Sequence, residues 1–383
     1  MNIGLFVDAY VPQVTGVVTI VRTLKTELEK RGHNAYVFTV SHPAAKPEEG
    51  VFRFSSLRFP YEPEHRVGYF FEPEVVKLAK KLNLDIVHSH TEFSMMLAAR
   101  AVRRKLRVPS IHTFHTYYPD YLDYVPWPLR LYFKRYMDKY FNFIFRSQKC
   151  LVVPSHKNRI FLESIKMKKP VRVIPNGLDL GVFYEDVPSG QTLEWRSKYG
   201  IGRGAKVILF TGRLALEKNL NALLESFKLI LESVPNTFLM IAGDGPDRRE
   251  LSLYARELRI EDSVVFTGFL NWPEEIRLAC KAADIFMSAS RSEVHPVTFI
   301  EALSSGLPIV ALRDVSIQDM VISGETGCVV ESEKDLACAA VRLLTDGAQL
   351  SRLKKGALIK SAGYSVERFG AAMIKLYEEI IAR

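Results

Sequence analysis

Residues 2–7 form a short apolar run, residues 8–16 a turn-rich segment with Pro12 and Gly16, and residues 17–30 return apolar side chains every third or fourth position. This pattern predicts strand, loop and amphipathic helix. Gly32 stops the helix before a second apolar run at 35–40. The alternation continues through predicted strands at 85–88 and 109–112. A second set begins after Pro175-Asn-Gly177, with strands at 207–210, 238–242, 264–267, 285–287, 309–311 and 328–330 and helical periodicity between most of them. Short, continuously apolar strands separated by helices predict parallel sheets covered on both faces, an α/β fold class. The expected organisation is two doubly wound domains, 1–174 and 175–365. The last helix, within 366–383, can pack on either and is a candidate to complete the first.

Composition narrows the class. The chain has 383 residues, of which 48% are hydrophobic and 25% charged. Those proportions exclude collagen-like and low-complexity chains and make disorder a poor reading. No apolar run approaches the roughly 18–20 residues of a membrane-spanning helix. The N-terminus shows no basic, apolar and cleavage regions in succession, so no export signal is expected. Cys150, Cys280, Cys328 and Cys338 are scattered and form no C-x-x-C pair, which fits reduced thiols in a cytosolic protein better than a disulfide frame or a zinc site.

The net charge of +9 is distributed unevenly. Residues 1–173 carry 28 Lys and Arg against 15 Asp and Glu, whereas residues 174–383 carry 24 against 28. Within the first half, residues 94–172 hold 17 basic and 4 acidic side chains. Such a one-sided distribution is a footprint for an anionic surface, either membrane or nucleic acid.

Candidate chemistry lies at the ends of predicted strands, where open α/β sheets bind ligands. Glu293 and Glu301 stand eight apart. Pro296 keeps Glu293 on the loop after a strand, and Thr298-x-x-Glu301 reads as a capping box opening a helix. A helix N-terminus suits a diphosphate, with the two carboxylates placed to accept from sugar or ribose hydroxyls. The competing reading is that Glu301 only caps and Glu293 is a solvated loop residue. Gly212-Arg213 and Glu217-Lys218-Asn219 follow a strand and lead into a helix, so Arg213 and Lys218 can reach a phosphate there or form an ordinary solvated helix start. His88 and His90 alternate on a strand and would face one side. With no third ligand in view they read as packing or a substrate contact rather than a metal site.

These motifs occur together in an order that resembles glycosyltransferase family 4. Its members are retaining enzymes of GT-B fold, with two Rossmann-like doubly wound parallel-sheet domains facing a central cleft. The resemblance rests on Gly212-Arg213…Glu217-Lys218-Asn219, on Glu293…Glu301-Ala302 with Gly306-x-Pro308, on Pro175-Asn-Gly-Leu-Asp179, on Gly16 and on His115. It implies that Arg213 and Lys218 neutralise a diphosphate leaving group, that Glu301 takes ribose hydroxyls and that Glu293 holds the donor sugar. It further implies that Gly16 admits backbone close to the donor and that His115 sits at the donor–acceptor junction. Many relatives have glycine where this chain has Pro296. Proline has no N–H to offer a phosphate, which leaves the amides of Val297 and Thr298. No Asp-x-Asp occurs in the chain, so a site without metal or other cofactor is expected, with cations and the helix N-terminus stabilising the departing diphosphate.

The basic half suggests the acceptor. A predicted helix over 95–107 places Met95, Ala98, Ala99, Val102 and Leu106 on one face and Arg100, Arg103, Arg104 and Arg107 on or beside the other, with Lys105 between. Downstream, residues 114–145 include thirteen aromatic side chains interleaved with Arg130, Lys134, Arg135 and Lys139. A basic amphipathic helix flanked by Tyr and Trp suits an anionic membrane surface; a core helix with a solvated charged face is the alternative. No nucleic-acid module is recognisable, and no nucleic-acid partner is expected. Through Asp8-Ala-Tyr-x-Pro12…Gly16-Val-Val-Thr19, His115-Thr-Tyr-Tyr118 and Ser292-Glu293…Thr298-x-x-Glu301, the chain most resembles the diacylglycerol α-glucosyltransferase branch of the family. That resemblance implies transfer from UDP-glucose, the nucleotide-sugar donor, to the 3-hydroxyl of 1,2-diacylglycerol, a lipid acceptor, at the cytoplasmic face of the cell membrane. Two other readings stand beside it: mannosyl or galactosyl transfer to phosphatidylinositol or another glycolipid, and a catalytically silent basic protein binding membrane or nucleic acid.

Overall fold

Strands that are apolar at every position need cover on both faces, and that requirement organises the computed structural model, which describes residues 1–13, 15–58, 66–69, 72–119 and 127–382, with backbone alone at 72, 128–129 and 132–134. The chain divides into two units, Met1–Leu178 with Val366–Arg383, and Asp179–Ser365. The division lies four residues beyond the sequence boundary, and the C-terminal helix Val366–Ile381 returns to the first unit.

The first unit runs β1 (Asn2–Phe6), α1 (Gly16–Lys30), β2 (Asn34–Val40), β3 (Val51–Phe54), β4 (Ser56–Arg58), β5 (Arg66–Gly68), α2 (Glu72–Lys81), β6 (Ile86–Ser89), α3 (Ser94–Leu106), β7 (Ser110–Thr113), α4 (Trp127–Ile144), β8 (Cys150–Val153), α5 (His156–Ser164) and β9 (Val171–Val173). Its parallel sheet has the order β3-β2-β1-β6-β7-β8-β9, and β4 pairs with β5 as a separate antiparallel ribbon. Strands β3, β4, β5, β8 and β9 fall outside those that the pattern predicts. Phe6 stacks on Phe38 at 4.4 Å between ring centroids. α3 packs Met95, Ala98, Ala99 and Val102 into the same cluster, so its apolar face belongs to the core. α4 sends Phe141 and Ile144 into a second cluster with Phe114, Phe145 and Phe161.

The second unit runs α6 (Gly181–Tyr184), α7 (Ser189–Lys198), β10 (Lys206–Thr211), α8 (Leu220–Ser233), β11 (Thr237–Ala242), α9 (Arg248–Glu257), β12 (Val264–Gly268), α10 (Glu274–Lys281), β13 (Ile285–Ser288), α11 (Val297–Ser304), β14 (Ile309–Leu312), β15 (Gly327–Val330), α12 (Glu333–Thr345) and α13 (Gly347–Ser361). The order β12-β11-β10-β13-β14-β15, parallel throughout, is the doubly wound arrangement, with its switch point between β10 and β13. Ile208, Ile241, Met287 and Val310 from the sheet meet Leu223 and Phe227 of α8 and Leu336 and Ala340 of α12 in one core.

The C-terminal helix is keyed into the first unit by polar as well as apolar contacts. Gly370 sits so close to α1 that a Cβ there would lie 2.4 Å from Glu27 Cγ. Arg31 Nη2 donates to the Glu367 carbonyl at 2.9 Å. Tyr377, fully buried, pairs its hydroxyl with His88 Nδ1 at 2.7 Å, while His88 Nε2 pairs with Thr113 Oγ1 at 2.6 Å. Tyr377→Phe removes the hydroxyl and strands Nδ1 in the interior, so we expect a loss of about 1–3 kcal/mol in denaturant unfolding. An unchanged midpoint would show that the bond contributes nothing.

Candidate active site

In the second unit the loops after β10, β11 and β13 converge at the switch point. Gly243 adopts φ +135°, and a Cβ there would lie 2.0 Å from the Gly212 carbonyl oxygen. The two loops therefore meet backbone to backbone: Gly212 N donates to Ala242 O at 3.0 Å, Leu214 N to Asp244 O at 3.0 Å and Asp247 N to Leu214 O at 3.1 Å. The β10 loop then makes a single 3₁₀ turn, Leu216–Lys218, and Asn219 at φ 52° starts α8. Asn219 Nδ2 donates to Ala289 O at 3.2 Å and Ser292 Oγ to Glu217 O at 2.8 Å, which lash the β10 loop to the β13 loop.

That lashing brings Lys218 Nζ to 2.7 Å from Glu293 Oε1, with side chains 20% and 14% exposed. Arg213 is exposed at the start of the same loop. The chain then enters α11, and here the capping-box expectation fails. Pro296 is the N-cap and makes no side-chain cap, the helix begins at Val297, and Thr298 is its second residue. Thr298 and Glu301 share the capping-box spacing only because i and i+3 lie on one helix face. Glu301 is buried within the helix, and Trp272 Nε1 donates to its Oε1 at 2.8 Å. Burial raises its carboxyl to about 7, and the Trp272 bond offsets part of the rise. Nearby His295 is held down to about 4 by burial. The first amides of α11, at Val297 and Thr298, have no partner within the helix and carry its positive end.

This arrangement can take an anion on Lys218, Arg213 and the helix amides, and hydroxyl donors on Glu293 and Glu301. Lys218 and Glu293 neutralise each other, so an anion taken here competes with Glu293 for the ammonium.

In the first unit the ends of β1, β6 and β7 carry a buried polar network. Asp8, after β1, accepts from Thr91 Oγ1 at 2.5 Å, from Met95 N at 3.0 Å and from Ser94 Oγ. It thereby caps α3, whose own N-cap Phe93 has no side chain able to do so. Glu92 accepts from Tyr118 Oη at 2.8 Å and faces His112 Nε2 at 3.1 Å. His115 follows β7 and is half-buried, with Nε2 3.1 Å from His90 Nδ1. Burial pulls it down to about 3, with a smaller push from His112. Gly16 is the exposed first residue of α1, behind the N-cap Thr15. The alternate spacing of His88 and His90 does bring their rings together, at 3.9 Å between centroids and tilted by 37°. Both His88 nitrogens are taken by protein hydroxyls, and among the described residues no three His, Cys, Asp or Glu side chains form a metal-holding group. Glu92 and Trp272 are participants that sequence reasoning missed, and Asp8, quoted there within a motif, was given no role of its own. Asp8 and Glu92 carried one available signal, an acidic side chain just past a strand end.

The residues of the basic face are spread over several elements. Because the apolar face of α3 is internal, the helix does not lie on a membrane by that face. Arg104, Lys105 and Arg107 are exposed, Arg103 is half-buried, and Arg100 extends its guanidinium over Phe143 at 5.7 Å. Arg130 and Arg135 are exposed on α4, while the Lys134 side chain lies outside the described residues. Arg103, Arg104 and Arg107 join Lys149 around a pocket of about 440 Å³ floored by Val108, Pro109 and Ile380. The exposed apolar atoms of α3 lie instead at its start, on Phe93 (60% exposed) and Leu97 (64%). Gly68 N donates to Ser94 Oγ at 2.9 Å, which brings the β4–β5 ribbon, with exposed Leu57 and Tyr69, to the same end of α3.

Residues 14–182 match the model of Glycosyltransferase Family 4 and residues 191–359 that of Glycosyl transferases group 1. An alpha-monoglucosyldiacylglycerol synthase of Streptococcus pneumoniae is 36% identical over 90% of this chain and 78% of its own length. One of Acholeplasma laidlawii is 32% identical over 100% of this chain and 98% of its own. The chain is a family 4 glycosyltransferase. As such it is a hexosyltransferase, and its fold is GT-B. Sucrose-phosphate synthase of Thermosynechococcus elongatus superposes with a TM-score of 0.78 at 20% identity over the full length of both chains. Anabaena HepE, solved in complex with UDP and glucose, superposes with a TM-score of 0.80 at 17% identity over 99% of this chain and 100% of that one.

The raised Glu301 carboxyl has a measurable consequence for this family 4 enzyme. The folded group holds its proton up to about pH 7, against an ordinary value of 4.5. Folding therefore favours the protonated form. Its contribution is full below pH 4.5 and is lost as pH rises through 7, an effect of about 3 kcal/mol. In the donor-free enzyme, Glu301→Gln should unfold at a higher temperature than wild type above pH 7, with the gap closing toward pH 4.5. Parallel melting curves across that window would refute a protonated Glu301.

Proposed function

We propose that this enzyme transfers an α-glucosyl group from UDP-glucose to the 3-hydroxyl of 1,2-diacylglycerol, with retention, as a peripheral protein on the cytoplasmic face of the cell membrane. The observation that carries this reading is the identity, over nearly the whole chain, with two relatives named alpha-monoglucosyldiacylglycerol synthase. The UDP and glucose bound to HepE, a structural neighbour, support the donor.

In this reading Arg213, Lys218 and the amides of Val297 and Thr298 take the diphosphate, Glu301 the ribose hydroxyls and Glu293 the glucose hydroxyls. Gly16 and His115 serve the donor and its junction with the acceptor. The bond from the glucose anomeric carbon to phosphate oxygen breaks, and the acceptor oxygen bonds that carbon on the same face. The acceptor's proton passes to the departing phosphate oxygen. Positive charge from two side chains and a helix end stabilises the leaving group, so no divalent ion or other cofactor is needed. Pro296 withholds one amide from this set, which places more of the task on the side-chain cations.

The acceptor requires a lipid surface. No helix among the described residues is long and apolar enough to cross a membrane. Contact is made instead by Phe93 and Leu97 entering the interface, with the exposed cations of α3 and α4 over anionic headgroups. Each cation near such a surface contributes about 1 kcal/mol.

The deciding assay uses mixed anionic vesicles containing diacylglycerol, a panel of UDP- and GDP-sugars and mass detection of products. Glucosyl-diacylglycerol from UDP-glucose alone is expected, and activity should survive EDTA. Glu293→Gln and Lys218→Ala should each lower kcat about 100-fold in a folded protein. Sugar entering a different lipid, or full activity in both variants, would overturn the acceptor or the site respectively. Reversal of Arg103, Arg104 and Arg107 to Glu should abolish most vesicle binding at low salt, and the difference should shrink as salt rises. Equal pelleting of variant and wild type would discard the membrane face.

A further inference from the structure

A tightly constrained polar group of the first unit lies beside His115 rather than on it. His90 follows β6 and continues the sheet by one bond, its N donating to Phe6 O at 2.8 Å. Its ring lies 3.9 Å from that of His88, which Tyr377 and Thr113 grip at both nitrogens. On the other side, His90 Nδ1 meets His115 Nε2 at 3.1 Å, the two rings inclined by 23°. His90 Nε2 is enclosed and has no hydrogen-bond partner among the described residues. Burial holds all three imidazoles neutral at physiological pH.

A neutral His90 has one N–H to place. On Nε2 it would be a buried donor with nothing to receive it, at a cost of about 1–3 kcal/mol. On Nδ1 it is satisfied by His115, and only a lone pair is left enclosed, which interiors tolerate more readily. The proton therefore belongs on Nδ1. His115 Nε2 must then accept, so the single proton of His115 sits on Nδ1, which is not among the enclosed unpartnered nitrogens.

We infer that His90 is a positioning residue that fixes the tautomer of His115, making its outer edge an N–H donor to an oxygen of the bound sugar rather than a base. This rests on the reading of His115 as the sugar-facing histidine. It agrees with acceptor-proton transfer to the leaving phosphate, because an Nδ1–H edge has no lone pair to take that proton.

The test is ¹⁵N NMR of the enzyme labelled at histidine, with the His115 signals identified from their loss in His115→Ala. Wild-type His115 should show a protonated Nδ1 and a bare Nε2. His90→Leu should return His115 to the Nε2–H form and lower kcat about 10-fold, the effect of one hydrogen bond to substrate. His90→Asn, whose amide nitrogen stands where Nδ1 stood, should restore both. A proton on His115 Nε2 in the wild type, or a tautomer that ignores His90→Leu, overturns the inference. If the wild type transfers no glucose to diacylglycerol, the proposed function fails while the NMR result still decides the role of His90. If His90→Leu does not fold, the wild-type spectrum alone decides it.

Discussion

The candidate site of the second unit depends on two loops touching without a side chain between them. With 2.0 Å between the Gly212 carbonyl oxygen and the place where a Cβ of residue 243 would be, any residue other than glycine would push the β10 and β11 loops apart. Contact at that point turns the β10 loop so that Leu214 exchanges backbone bonds with Asp244 and Asp247, and the 3₁₀ turn that follows presents Lys218 to Glu293. A backbone constraint thus sets the position of an ion pair several residues later. The pair matters because its members are mostly shielded from water, where an ammonium attracts either Glu293 or a phosphate strongly but cannot satisfy both fully.

The first unit solves a different problem at its strand ends. Parallel strands end together, so polar side chains from several of them meet in a small, dry volume. Asp8 is held there by a cap it provides to another element's helix, and Glu92 by a tyrosine hydroxyl and an imidazole. His88, His90 and His115 stay neutral because charging any of them would place an unsolvated cation beside its neighbours. The result is a set of imidazoles whose proton positions are dictated by partners rather than by pH.

Charge in this chain is arranged by what the folded core leaves over. α3 gives its apolar face to the sheet, so its arginines are a solvent-facing remainder. Mutual repulsion among Arg100, Arg103, Arg104 and Arg146 contributes, after burial, to easing deprotonation of Arg100. Concentrating like charges without acids between them disfavours the free protein and favours an anionic partner.

The sequence by itself determined the fold class, the two doubly wound sets, the loops that carry Arg213, Lys218 and Glu293 and the helix that carries Glu301, because apolar periodicity and strand-end placement are local properties of the chain. It located His88 and His90 on one side of a strand for the same reason. Three things were decided only in three dimensions. Thr298 and Glu301 have the spacing of a cap, yet Pro296 starts the helix and Glu301 is buried against Trp272, since capping depends on backbone angles that spacing does not encode. The amphipathic pattern of 95–107 was legible, but whether its apolar side met a core or a membrane turned on the strands beneath it. The partners of His88 lie 25 and 289 residues away, and no reading along the chain brings such groups together; only packing the C-terminal helix against the first sheet does.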